Sequence, residues 1–213
     1  MMLFHLLKKD ILIVKKHVLI LLAAAIFIPP FMLWRAPQYT GGLGFMLSVI
    51  FCVFMLLQYV SLKEYQFPKA ATLLCAAPYS RRMIVLSKYV FCMTAYIVCC
   101  FIYGIETFII PGLGSCDIKL FVLMFFITSA FIGVYLPVQY KLGYEKTKFA
   151  FFVVIMASPF ILPQLMKMEN VNWDFLSLFS PIPAYGGITL LSLGILIVST
   201  YLSMKYYSST DLA

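Results

Sequence analysis

"GLGFMLSVIFCVFMLLQYVSL", residues 42–62, runs for twenty-one residues without a charged side chain. A helix needs about 20 apolar residues to cross the hydrocarbon core of a bilayer. Lipid offers no partners to open backbone N–H and C=O groups, so such a stretch must satisfy them within a helix. The rest of the chain agrees with this reading. Of its 213 residues, 63% are hydrophobic and 11% are charged, with a mean hydropathy of +0.99. A soluble domain carries about 25% charged residues. There is too little polar surface here to cover a soluble globule, so the composition predicts an all-α integral membrane protein with one membrane domain spanning residues 1–213.

Five further runs read as spans. The first covers residues 18–34 and should be kinked near its far end by Pro29-Pro30. The others cover about 89–110, 120–140, 149–166 and 184–204, giving six transmembrane helices in all. The run at 149–166 is interrupted by Pro159 and Pro163, and the one at 89–110 stops at Pro111-Gly112. Residues 172–187 are apolar but broken by Pro181, Pro183 and a glycine pair, so they read as an element dipping into the outer leaflet.

Charge sets the orientation. On one side lie Lys8, Lys9, Lys15, Lys16, Lys63, Lys69, Arg81, Arg82, Lys88, Lys141, Lys146, Lys148 and Lys205; on the other lie Arg35, Lys119 and Lys167. The positive-inside rule then places both termini in the cytoplasm of a multi-pass plasma-membrane protein. The net charge of +8 sits at the ends of apolar runs, which argues against nucleic acid and for contact with membrane lipids. Residues 1–17 form a different object. Phe4, Leu7, Ile11, Val14 and Val18 recur at helical spacing with Lys8, Lys9, Lys15 and Lys16 off the stripe, as in a basic amphipathic helix at the membrane surface. Lysines and an aspartate interrupt this segment and no small-residue cleavage site follows, unlike a cleavable signal peptide.

Several chemistries lack their residues. No GxxxxGK[ST] loop is present to cradle nucleotide phosphates, and no HExxH or Gly-x-Ser-x-Gly. The two histidines, His5 and His17, stand far from the six cysteines, most of which lie in apolar runs where Cys behaves as a small hydrophobe. No catalytic residue and no metal site is expected, and the chain should carry no cofactor of its own. Glu106 is the one carboxylate well inside an apolar run. It has two readings: a polar contact on a substrate path or with Arg35, or, more simply, an interfacial carboxylate that reaches water.

The loop from Lys63 to Lys88 carries an apolar pattern of its own. Ala70, Leu73, Leu74 and Ala77 fall at helix spacing and Pro78 ends the turn. Ser80 is placed to cap the next helix, which enters the membrane through Arg81, Arg82 and Lys88. A short helix with an apolar face in a cytoplasmic loop wants a protein partner.

The segment "LLCAAPYSRRMIVLSKYV", residues 72–89, resembles the first cytoplasmic loop of small permease subunits of type-2 ATP-binding-cassette exporters. Glu64, Pro78, Ser80, Arg81, Ile84, Val85, Lys88 and Tyr89 fit that family's pattern, and Ala77 stands where a leucine is usual. The segment "LPVQYKLGYEK", residues 136–146, resembles its second inner loop through Pro137, Tyr140, Lys141, Gly143, Glu145 and Lys146, with Leu142 in place of an aromatic. The resemblance implies a permease paired with a second copy or a paralogue. It implies two copies of a cytoplasmic ABC ATPase that hold ATP and Mg, grip a coupling helix around Glu64, Ala70, Leu73, Leu74, Ala77, Pro78, Ser80 and Arg81, and drive amphiphilic cargo outward. The branch it suggests is Gram-positive and associated with export of amphipathic peptides or resistance to peptide antibiotics. The competing reading is a membrane-embedded immunity or interaction protein that binds a peptide without moving it.

Overall fold

The computed structural model describes residues 2–35, 42–67, 80–110, 112–113, 118–149, 152–153, 156–157, 160 and 181–209. These are helical nearly throughout, and no strand occurs among the described residues. The helices are α1 (Met2–Ile13), α2 (Lys15–Arg35), α3 (Gly42–Gln66), α4 (Arg81–Ile109), α5 (Ile118–Leu142) and α6 (Pro181–Ser209). Five of them, α2 to α6, are long and apolar enough to cross a membrane. The run expected at 149–166 lies largely outside the described residues, as does the first part of 172–187. Pro181–Gly187 form the opening turns of α6. Proline is tolerated in the first turn of a helix, where its missing N–H has no intrahelical acceptor.

α3 is the axis of the bundle. Of its apolar window 78% is buried, against 17% for α2 and for α6. Its buried side chains include Phe45, Met46, Leu47, Ser48, Val49 and Ile50, which face every side of its first half, and Val53, Phe54, Leu57 and Val60 on one side of its second. A helix apolar on every side needs neighbours or lipid on every side. Phe54 meets Phe131 of α5 with ring centroids 3.6 Å apart, and Phe45 meets Tyr103 of α4 at 4.7 Å. Two small residues permit close helix approach. A Cβ on Gly44 would stand 3.0 Å from Pro29 Cα, so α2 lies tightly on α3. A Cβ on Gly133 would stand 2.7 Å from Ile195 Cγ2, so α5 and α6 pack backbone to side chain. Leu190, Tyr201, Phe27 and Phe108 point outward, as an apolar exterior in contact with lipid requires.

One sequence expectation is corrected. The N-terminal segment is not one stripe along 1–17: the chain breaks at Val14 between α1 and α2. Leu6 and Asp10 of α1 and Val14 at the break turn to the bundle, while Phe4 and Ile11 are exposed. Beside lipid, apolarity marks the outside of a bundle as readily as its inside, so the apolar stripe alone could not tell the two apart. α2 continues through Pro29-Pro30 to Arg35.

Candidate functional site at the basic end of the bundle

The elbow between α1 and α2, the end of α3, the start of α4 and the ends of α5 and α6 meet at one end of the bundle. α1 and α3 supply the acids and α1 and α4 the bases of a compact charge cluster. Lys88 Nζ of α4 lies 2.6 Å from Glu64 Oε1 of α3. Lys9 Nζ lies 3.8 Å from the same oxygen and 3.0 Å from Asp10 Oδ1. Lys88 is only 2% exposed and Asp10 is fully buried. Removing such charges from water costs several kcal/mol each, so they persist only in mutual contact. Two cations and two carboxylates balance here, and Glu64 keeps part of its carboxylate open to solvent. Lys88, read from sequence as a basic residue at the membrane surface, is therefore an interior ion-pair partner. Position explains the difference: it is eight residues into α4, past the turn that Ser80 begins, on the side facing α3.

The cluster closes the base of the first loop. Glu64 and Lys88 stand on either side of residues 65–87, and their contact ties the two ends together. On the return, Ser80 caps α4: its backbone is extended (φ −68°, ψ 144°) and its Oγ accepts a hydrogen bond from Met83 N–H at 3.3 Å. Arg81 and Arg82 then occupy the first turn of the helix, where the macrodipole disfavours cations. They do not serve the helix itself; Arg81 Nη1 donates to the carbonyl of Ser208 at 3.1 Å, joining the loop exit to the end of α6. Ala70, Leu73, Leu74, Ala77 and Pro78 lie outside the described residues.

The second loop is attached to the same place. Gly143 has φ +83°, a left-handed conformation that favours glycine, and its N–H donates to the carbonyl of Gln139 at 2.9 Å. The chain thus leaves α5 and turns into a short helical segment at 144–149. Tyr65 OH of α3 donates to Glu145 Oε1 at 2.7 Å, and its ring lies 5.5 Å from that of Tyr144. Ser61 Oγ donates to Gln139 Oε1 at 3.2 Å. Tyr140 is half-buried with its ring 5.2 Å from Tyr207, Lys141 stands over the Tyr206 ring at 5.6 Å, and Lys146 is exposed. Next to Lys88, Tyr89 OH shares hydrogen bonds with Ser199 Oγ (2.6 Å) and Ser203 Oγ (2.8 Å) of α6, and Ser199 Oγ donates to the carbonyl of Gly133 at 2.8 Å. Polar contacts buried in an apolar bundle fix the register of α4, α5 and α6.

Residues 5–208 match the family described as ABC-2 family transporter protein. The chain belongs to that family. No curated protein sequence and no solved structure matches it. It is a multi-pass permease component of an ABC transporter, and membership implies an ATPase partner. Here both polar loops at the basic end are joined to α3 through Glu64, Tyr65 and Ser61. Of the residues singled out in the sequence, Glu64, Ser80, Arg81, Tyr140, Lys141, Gly143 and Glu145 gather at this end. Sequence reasoning missed Asp10 and its partner Lys9, and the Tyr89–Ser199–Ser203 cluster. A signal for Asp10 existed, since it is the one acid before Glu64.

Glu106 belongs to the opposite end of α4. It is 7% exposed, and neither carboxylate oxygen has a hydrogen-bond partner among the described residues. Among the described residues no ion pair joins it to Arg35, which is exposed. Among the described residues no three His, Cys, Asp or Glu side chains gather to hold a metal ion.

Proposed function

We propose that the chain is the membrane-spanning subunit of an ATP-driven exporter that moves amphiphilic peptides outward. The family match over residues 5–208 supports the permease part of this reading, and the resemblance of the two inner loops suggests the direction and the cargo. ATP and Mg belong to a separate cytoplasmic ATPase, present in two copies, and this chain has no catalytic residue. It pairs with a second permease, identical or related. A helix around residues 68–78 docks on the ATPase through Leu73 and Leu74. Closure of the ATPase dimer pulls on that helix, and the Glu64–Lys88 contact at the loop's base passes the pull to α3 and α4. The bonds from Ser61 and Tyr65 to Gln139 and Glu145 carry it to α5. A buried charge pair suits this role because it resists separation more than an exposed one. The Gram-positive peptide-export branch is the closest fit to the loop motifs, and six spans with both termini inside fit the charge bias.

Transport is tested in proteoliposomes holding the chain and the ABC ATPase that copurifies with it. ATP should drive a labelled amphipathic peptide across the membrane, and no movement should occur with a hydrolysis-dead ATPase. Peptide binding of equal strength with no ATP-dependent movement would favour the immunity reading. Orientation has its own test. In intact cells, Lys69→Cys and Lys146→Cys should resist a membrane-impermeant thiol reagent while Lys167→Cys reacts. Reaction at position 69 from outside would overturn the assignment of the basic end to the cytoplasm.

A further inference from the structure

A cleft of about 170 Å³ opens where α1, α2, α3 and α4 meet. Leu7 and Ile11 of α1, Leu22 of α2, Leu56 of α3, and Ala95 and Val98 of α4 are among its walls, which are almost wholly apolar. Ile11 and Val98 are exposed, so the cleft opens at the surface between them. Ile97 and Phe101, exposed beside Val98, continue the apolar surface along α4. An apolar space of about 150 Å³ stays dry and takes up hydrocarbon the size of benzene. Left empty, its walls lose dispersion contacts that a hydrocarbon chain would restore.

Charge at the rim selects the occupant. Lys8 and Lys15 each stand three residues before a wall residue, Ile11 and Val18. Both are exposed, and neither has an acidic partner among the described residues, whereas Lys9 between them is held by Asp10 and Glu64. An apolar slot whose wall helices carry, one turn away, exposed lysines without acidic partners matches a molecule with a hydrocarbon tail and an anionic head. We propose that this cleft is a binding site for one acyl chain of an anionic phospholipid, with its phosphate held by Lys8 and Lys15. The lipid seats the elbow of α1 and α2 against α3 and α4, next to the charge cluster at the base of the first loop.

Native mass spectrometry of the full chain, released from a neutral detergent, tests this. Phosphatidylglycerol should be retained at one molecule per chain, and phosphatidylcholine with the same tails should be retained more weakly. Lys8→Gln with Lys15→Gln should erase that preference, at about fivefold per lysine. Val98→Trp at the mouth should abolish retention of both lipids, and Ile11→Trp on the facing wall should do the same independently. Leu190→Trp, on the exposed surface of α6, which contributes nothing to the cleft, should leave retention unchanged. Glycerol phosphate, a head without a tail, should not compete. Retention that survives both mouth substitutions, or that glycerol phosphate displaces, would overturn the proposal. Binding in detergent depends neither on which membrane face α1 occupies nor on the ATPase, so its failure would leave the transport reading intact.

Discussion

Glu64→Gln should destabilise the protein by about 3–5 kcal/mol, the range found when one member of a buried ion pair is removed. The substitution keeps the shape of the side chain and deletes only its charge. Lys88, 2% exposed, is then left without its carboxylate. Asp10 is within electrostatic reach but is already held by Lys9, so one acid must serve two cations. The reverse change should cost far less. Lys88→Met leaves Glu64, whose side chain is 35% exposed, free to turn to solvent. Its loss should be about 1 kcal/mol, close to that of an exposed pair. Combining the two should recover most of the stability lost in Glu64→Gln, because the buried charge and its missing partner disappear together. Thermal unfolding in detergent and the amount of protein in the membrane read all three variants. Equal and small effects of the two single changes would show that the pair is not buried in the working protein.

Replacing Leu73 and Leu74 together by Asp should abolish export while the chain still inserts in the membrane. No spanning segment changes, so insertion has no reason to fail. The loss falls on the ATPase contact. Each leucine buried against a partner contributes about 1.5–3 kcal/mol, and the aspartates would bring charge into a contact that excludes water. Together these effects should lower ATPase affinity by at least 3 kcal/mol, on the order of a hundredfold or more. Arg81→Ala should be milder, since that guanidinium is partly solvated where it meets the Ser208 carbonyl.

The spans were legible because lipid imposes a hard rule on sequence: about 20 apolar residues in a helix, with lysines left at one end. That rule found α2, α3, α4, α5 and α6, with the helices running a few residues past the apolar runs and α4 starting at Arg81, where the Ser80 cap placed it. Local chemistry was legible too. Ser80 before a helix reads as a cap, and it is one. What the rule cannot supply is which side of a helix meets protein. Lys8, Lys9, Lys15 and Lys16 look alike in sequence, yet Lys9 is paired inside the fold and Lys8 is exposed. Phe4 and Ile11 look like core and face outward, while Asp10 looks like surface and is buried. In this bundle the interior is marked by its polar residues, Asp10, Lys88, Tyr89, Ser199 and Ser203, because their alternative is hydrocarbon.

The central claim is that this permease works by gripping a separate ATPase. It is tested most directly by purifying the tagged full chain from its native membrane in mild detergent and measuring what comes with it. One ABC ATPase should copurify at one copy per permease, and the Leu73/Leu74 double variant should come away without it. A wild-type chain that protects or exports in the cell yet purifies free of any ATPase, or a double variant that keeps it in full amount, would contradict the account.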